Sequence, residues 1–262
     1  MTGPQDNTPD SPQDSPQDRP NTIARTALAC LDLTSLNEYD DDAAIAALCQ
    51  RAQGPFGATA AVCVWPRFAA FARARLPAGI AVAAVANFPD GRSDVERAVR
   101  DTGEIVAAGA QEVDVVMPYR DLAAAPALLA AVRRACSGLR LKVILETGEL
   151  GDAALIRRAC AIALDAGADF LKTSTGKVKV NATLEAAALL LQAISEGGHT
   201  QVGFKPAGGV RTVADAAAYI ALTEQYLGAV TPQRFRIGAS GLLNDVEAVL
   251  GGGAAAAGAA PY

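Results

Sequence analysis

Histidine is almost absent from this chain: there is one, His199, in 262 residues. A histidine-rich metal site is excluded, and His199, which follows Gly197-Gly198, reads as a surface or loop residue. Paired cysteine is missing too. Cys30, Cys49, Cys63, Cys136 and Cys160 are scattered, odd in number and form no Cys-x-x-Cys. Each lies in an apolar stretch, where a free thiol behaves as a small hydrophobe, and this usage fits a reducing cytosol. No apolar run reaches the roughly 18 residues that a membrane-spanning helix needs. The polar N-terminus lacks the basic start and apolar core of a secretory signal. An excess of positive charge is also lacking, since the formal charge is -5 and the pI about 5.0. Nucleic acid is therefore not an expected partner, nor is a membrane, and the expected location is cytoplasmic. An anionic ligand would need a local positive site.

Lysine is the scarcity that matters most. Only Lys142, Lys172, Lys177, Lys179 and Lys205 are present, and the other eighteen basic residues are arginines. A guanidinium can hold a phosphate but does not deprotonate, so it cannot act as an amine nucleophile. A desolvated lysine beside another cation can lose its proton and attack a carbonyl to form a Schiff base. Three of the five lysines crowd into Gly167-Ala-Asp-Phe-Leu-Lys-Thr-Ser-Thr-Gly-Lys-Val-Lys179, and a fourth lies in Val202-Gly-Phe-Lys-Pro-Ala-Gly-Gly-Val210.

Residues 1–22 stand apart. Pro-Gln-Asp recurs at 4–6, 12–14 and 16–18, and aliphatic side chains are absent until Ile23. Such a segment buries too little surface to offset its ordering entropy and is expected to be a disordered acidic extension. From 23 to about 250, eight short apolar runs alternate with longer amphipathic stretches: Ala27–Leu33, Ala58–Val64, Ile80–Ala86, Glu112–Met117, Leu141–Glu146, Asp169–Thr173, Gln201–Lys205 and Arg234–Ile237. Strands alternating with helices predict parallel βαβ units. Eight units in one chain of this length predict a closed (β/α)8 TIM barrel, of the α/β class, rather than an open sheet. No Gly-x-Gly-x-x-Gly follows the first run, which argues against a dinucleotide fold. Residues 251–262 read as a flexible Gly/Ala tail ending in Tyr262.

In such a barrel the active groups lie where strands end at the C-terminal face. Asp32, Asn87, Asp114, Glu146, Lys172 and Lys205 fall at or near such positions. Alternation puts Lys172 on the face of Phe170 and Lys205 on the face of Gly203, on neighbouring strands about 5 Å apart. Two ammonium groups that close lower each other's proton affinity; against this stands the ordinary case of solvated surface lysines. Thr173-Ser-Thr-Gly-Lys177, Ala207-Gly-Gly-Val210 and Gly238-Ala-Ser240 could each offer backbone N–H groups to an anion, or each could be an ordinary tight turn. Asp114, among β-branched residues, needs a buried partner. Lys205 is a candidate, whether as a proton relay or as a plain ion pair. Asp32 poses the same question.

These segments resemble one family. Leu31-Asp-Leu-Thr-Ser-Leu36, Ala86-Asn-Phe-Pro-Asp-Gly91, Glu112-Val-Asp-Val-Val116, Lys142-Val-Ile-Leu-Glu-Thr-Gly-Glu-Leu150, Phe170-Leu-Lys-Thr-Ser-Thr-Gly-Lys-Val178 and Gly203-Phe-Lys-Pro-Ala-Gly-Gly-Val-Arg211 look like the deoxyribose-phosphate aldolase family, from about Ile23 to about Leu250. The resemblance implies a metal-independent class I aldolase that needs no cofactor and cleaves 2-deoxy-D-ribose 5-phosphate to D-glyceraldehyde 3-phosphate and acetaldehyde. It implies that Lys172 forms the Schiff base, that Lys205 depresses its pKa, and that Asp114 joins a water-linked proton relay with Asp32 close by. It implies that Thr175, Gly176, Lys177, Gly208, Gly209, Gly238 and Ser240 surround the phosphate, and that Tyr262, on a mobile tail, assists proton transfer. A homodimer is the assembly the family suggests. Gly241 stands where some members carry a second serine, and the extension through Pro20 is outside the family pattern. Two rivals fit the residues themselves: a Schiff-base barrel aldolase with another donor, and a barrel that binds sugar phosphates without turnover.

Overall fold

The computed structural model describes residues 18–253 and residue 256. Its barrel strands are β1 (Leu31–Thr34), β2 (Ala61–Val64), β3 (Ala81–Ala86), β4 (Glu112–Val116), β5 (Arg140–Ile144), β6 (Phe170–Lys172), β7 (Gly203–Lys205) and β8 (Ile237–Ala239). All pairs within this sheet are parallel, in the order β8-β1-β2-β3-β4-β5-β6-β7, and a separate short antiparallel pair joins Gln53–Gly54 to Gly57–Ala58. The ring closes through bridges Phe204↔Phe235 and Ala207↔Gly238. Each of the eight runs expected from the sequence contains or overlaps one barrel strand. The apolar side chains of β2 and β3 are almost all buried, as strands covered on both faces must be.

The helices are α1 (Asp18–Ala29), α2 (Asp42–Arg51), α3 (Pro66–Arg73), α4 (Val95–Ala107), α5 (Ala125–Ala135), the single turn α6 (Thr147–Leu150), α7 (Ala153–Asp165), α8 (Leu184–Glu196), α9 (Val213–Leu227) and α10 (Leu242–Leu250). Several begin on a side-chain cap that accepts a first-turn N–H: Asp41 from Ala44, Asp94 from Arg97, Asp152 from Ala154 and Leu155, and Thr183 from Ala186. Thr212 and Asp215 form a reciprocal capping box. These caps satisfy N–H groups that have no partner inside the helix.

Two sequence boundaries are corrected. Helix α1 starts at Asp18, so residues 18–22 are helical and do not belong to an unstructured extension. Tertiary burial overrides the polar composition: Ala24, Ala27 and Leu28 are buried on the face that packs against α9 and α10, and Pro20 sits in the first turn, where its missing N–H costs nothing. For the same reason the first strand starts at Leu31 and not at Ala27. The rest of the expected extension, residues 1–17, and Tyr262 lie outside the described residues.

The barrel interior is tightly filled beneath the mouth. Phe170 and Gly203 are register partners, and a Cβ on Gly203 would lie 2.4 Å from the Phe170 ring and 2.8 Å from the Arg234 carbonyl oxygen. Gly203→Ala is therefore expected to destabilise the barrel by about 1–3 kcal/mol through overpacking. The check is the midpoint of denaturant unfolding, which should fall; an unchanged midpoint would show that the ring can move aside.

Candidate active site

Register places the charged groups. Lys172 and Lys205, the last residues of β6 and β7, are Cα partners, and Asp114 on β4 is the partner of Lys142 on β5. With period-two alternation, these four side chains enter one interior. Asp114 lies at its centre. Its Oδ2 accepts from Lys172 Nζ and from Lys205 Nζ, each at 2.8 Å, and its Oδ1 accepts from Lys142 Nζ at 2.8 Å. Asp32 Oδ2 takes Lys205 Nζ at 2.5 Å and faces Lys142 Nζ at 3.3 Å, while Asp32 Oδ1 accepts from Arg236 Nη1 at 2.6 Å. Glu112 completes the base. It meets Lys142 at 2.5 Å, Arg236 at 2.8 Å and Arg140 at 2.6 Å.

These contacts are buried, and that decides their electrostatics. Burial of Lys172, whose side chain is 3% exposed, lowers its pKa. Lys205 lowers it further, and Asp114, shared among three lysines, restores only part. The net shift of Lys172 is downward. Burial also disfavours the charge of Lys205, but Asp114 and Asp32 outweigh it and its pKa is raised. Lys142 is raised likewise by Asp114, Asp32 and Glu112. The carboxyls of Asp32, Asp114 and Glu112 are held below their usual range, because the surrounding cations overcome desolvation. The arrangement thus contains one amine inclined to be neutral, against two fixed ammonium groups.

Lys172 also lines a cavity of about 610 Å³. All the residues expected to hold a phosphate line it too: Thr175, Gly176 and Lys177 after β6, Gly208 and Gly209 after β7, Gly238 on β8 and Ser240 before α10. Asp32, Asp114 and Lys205 are not lining residues; they are wholly buried beneath Lys172. Two glycines have steric reasons to be there. Gly208 has φ 80°, and a Cβ on it would sit 2.7 Å from Asn181. A Cβ on Gly238 would come 3.0 Å from Lys205 Cε. Helix α10 begins at Gly241 without a side-chain cap, which leaves first-turn N–H groups available to an anion in the cavity. Lys177 Nζ donates to the Leu36 carbonyl at 2.8 Å, linking the loops after β6 and β1.

Other strand-end residues make contacts that fasten loops. Asn87, at φ 53°, donates to the carbonyls of Arg92 and Val116 and fastens the loop after β3. Glu146, at φ 57°, accepts from the Thr175 hydroxyl at 2.5 Å and from its N–H at 3.2 Å. Burial raises the Glu146 pKa. Cys63 Sγ is 4.0 Å from Asp114 Oδ2, and burial, with Asp114 beside it, pushes its thiol pKa up. The other four cysteines are buried as well.

Sequence reading assigned no role to Lys142, Glu112 or Arg236 in this network. One signal was available for Lys142, a rare lysine in a β-branched run whose strand neighbours the one carrying Asp114. Nothing local distinguishes Arg236 from the other arginines.

The chain matches the DeoC/LacD family aldolase over residues 26–247. It is 52% identical to a deoxyribose-phosphate aldolase of Agrobacterium fabrum over 249 residues, which cover 91% of this chain and 96% of that one. Among solved structures it is similar to one from Toxoplasma gondii, provisionally assigned as a deoxyribose-phosphate aldolase, with a TM-score of 0.83 and 25% identity, covering 90% of this chain and 97% of that one. A deoxyribose phosphate aldolase from Aeropyrum pernix, described as having a unique tetrameric structure, aligns with a TM-score of 0.71 and 25% identity, covering 87% of this chain and 91% of that one.

Proposed function

We propose a role for each group in this mouth from one premise: the chain belongs to the DeoC/LacD family of aldolases. It is a deoxyribose-phosphate aldolase, a lyase that reversibly cleaves 2-deoxy-D-ribose 5-phosphate to D-glyceraldehyde 3-phosphate and acetaldehyde. The observation that carries the site assignment is the position of Lys172. It is the one member of the buried ammonium cluster that lines the cavity, and its single carboxylate contact is an oxygen shared with Lys205.

The neutral amine of Lys172 attacks C1 of the open-chain aldehyde. Loss of water gives an iminium, whose positive nitrogen draws electrons from the adjacent carbon. A water hydrogen-bonded to Asp114 and Lys205 takes the C3 hydroxyl proton and passes a proton on to the Asp114 carboxylate. The C2–C3 bond breaks, its electron pair enters the iminium as an enamine, and glyceraldehyde 3-phosphate leaves. Protonation of the enamine at C2 restores an iminium, and hydrolysis releases acetaldehyde and free Lys172. Asp32 and Asp114 together keep Lys205 protonated, which supplies the fixed positive charge beside the nucleophile. The glycine loops, the first turn of α10, Ser240 and Lys177 hold the phosphate. Tyr262 assists the protonation at C2, on the strength of its match to the C-terminal tyrosine of bacterial family members. The enzyme acts as a homodimer in the cytosol, the assembly that the family resemblance suggests. Light scattering of the purified protein tests that, since the Aeropyrum relative is described as tetrameric.

Reductive trapping tests the site. The protein is incubated with acetaldehyde or deoxyribose 5-phosphate, reduced with borohydride, digested and mapped by mass. An ethyl group on Lys172 after acetaldehyde is the expected result. Modification of Lys205 or Lys177 instead would keep the reaction class and overturn the roles. An unmodified, folded protein would count against this donor and favour the non-enzymatic binding barrel.

A further inference from the structure

The buried network contains more than the retro-aldol step uses. Beneath Lys172 and Lys205 lie Lys142, Glu112 and Arg236, all buried and none lining the cavity. Lys142 contacts three carboxylates, Asp114, Asp32 and Glu112. Lys205 contacts two, and so does Arg236. Lys172 contacts one oxygen of one carboxylate, already shared. Since a carboxylate favours protonation of a lysine only to the extent that its charge is available, the third cation on Asp114 bears directly on the nucleophile.

We propose that Lys142 is a positioning residue that keeps Lys172 deprotonated, by occupying Asp114 Oδ1 and so dividing among three ammonium groups the charge that would otherwise retain the Lys172 proton. The proposal rests on Lys172 being the Schiff-base lysine. Glu112 has the opposite influence: by engaging Lys142, Arg236 and Arg140, it draws Lys142 away from Asp114 and lowers the net positive charge beneath the site. The other titratable groups that act on Lys172 are Lys205 from β7, Cys63 from β2 and Glu146 at the end of β5. Cys63 carries no charge while its thiol stays protonated, and Glu146 is engaged by Thr175. Neither changes between the variants below.

The test is the pH profile of kcat/KM for deoxyribose 5-phosphate, paired with the pH dependence of Lys172 ethylation by acetaldehyde and cyanoborohydride. In both, the rate rises as the amine loses its proton, so the midpoint of the acid limb follows Lys172. Lys142→Met should move that midpoint up by about one pH unit or more, and Lys142→Arg should leave it near the wild-type position. Glu112→Gln should move it down. Opposite shifts from two neighbouring buried residues are what a merely structural role does not produce. Arg140→Gln, at a partly exposed position, should give a smaller upward shift and serves if the buried variants do not fold. Shifts in the same direction, or an unmoved limb in every variant that folds, overturn the proposal. If the wild-type protein is not ethylated at Lys172, it is the site assignment that fails.

Discussion

Lys172→Leu will leave a folded barrel whose turnover of deoxyribose 5-phosphate has fallen by roughly 10⁴-fold or more, the scale seen when a covalent nucleophile is removed. The reason for the loss is chemical: no other amine in the cluster lines the cavity. The reason for the intact fold is electrostatic. Lys172 is the amine least needed by the network, since Asp114 retains Lys142 and Lys205 when it is gone. Replacing a desolvated, weakly paired charge by an apolar side chain of similar length is often neutral or mildly stabilising. Steady-state kinetics and a thermal melt read the two halves. Substantial activity in a well-folded Lys172→Leu protein would end the assignment of this lysine as nucleophile.

Asp114→Asn should harm both fold and chemistry. The carboxylate serves three lysine nitrogens from both of its oxygens, and an amide cannot balance the charge of the two that stay protonated. Removing one partner of a buried charge cluster typically costs about 3–5 kcal/mol, which for a chain of this size corresponds to a fall in melting temperature of roughly 10 °C. Activity should fall by about 10²–10⁴-fold, because the proton acceptor for the C3 hydroxyl is lost along with the order of the lysines. The pair of variants separates roles: Lys172→Leu loses activity and keeps stability, whereas Asp114→Asn loses both. An Asp114→Asn protein as stable as wild type would mean that the lysines shed their protons without cost, and the picture of a charged network would be wrong.

How far the site was legible can be judged residue by residue. Lys172 and Lys205 were legible because lysine is scarce here and both end apolar strands, whose alternation assigns a face. The cavity glycines were legible as loop residues at the strand ends; that the Gly208 and Gly238 N–H groups donate to the carbonyls of Gly238 and Pro206 was not. Asp114 was legible as a buried carboxylate in need of a partner, but its partners beyond Lys205 were not. Helix α1 was misjudged at its start because burial against α9 and α10 is contributed by segments near the other end of the chain, and composition within residues 18–22 contains no trace of them.

By itself the sequence determined the eight-fold alternation of strand and helix, hence the barrel, and the set of amines available for covalent chemistry. Those are properties of local periodicity and residue type, which need no knowledge of distant neighbours. Only the tertiary structure decided which amine can be neutral. That depends on how many carboxylate oxygens stand within hydrogen-bonding reach of each nitrogen in the buried interior, and the groups involved come from β1, β4, β5, β6, β7 and the approach to β8. Closure of the ring brings Arg236 to Asp32 and Lys142 beneath Asp114, and it leaves Lys172 the nitrogen with the fewest carboxylate contacts.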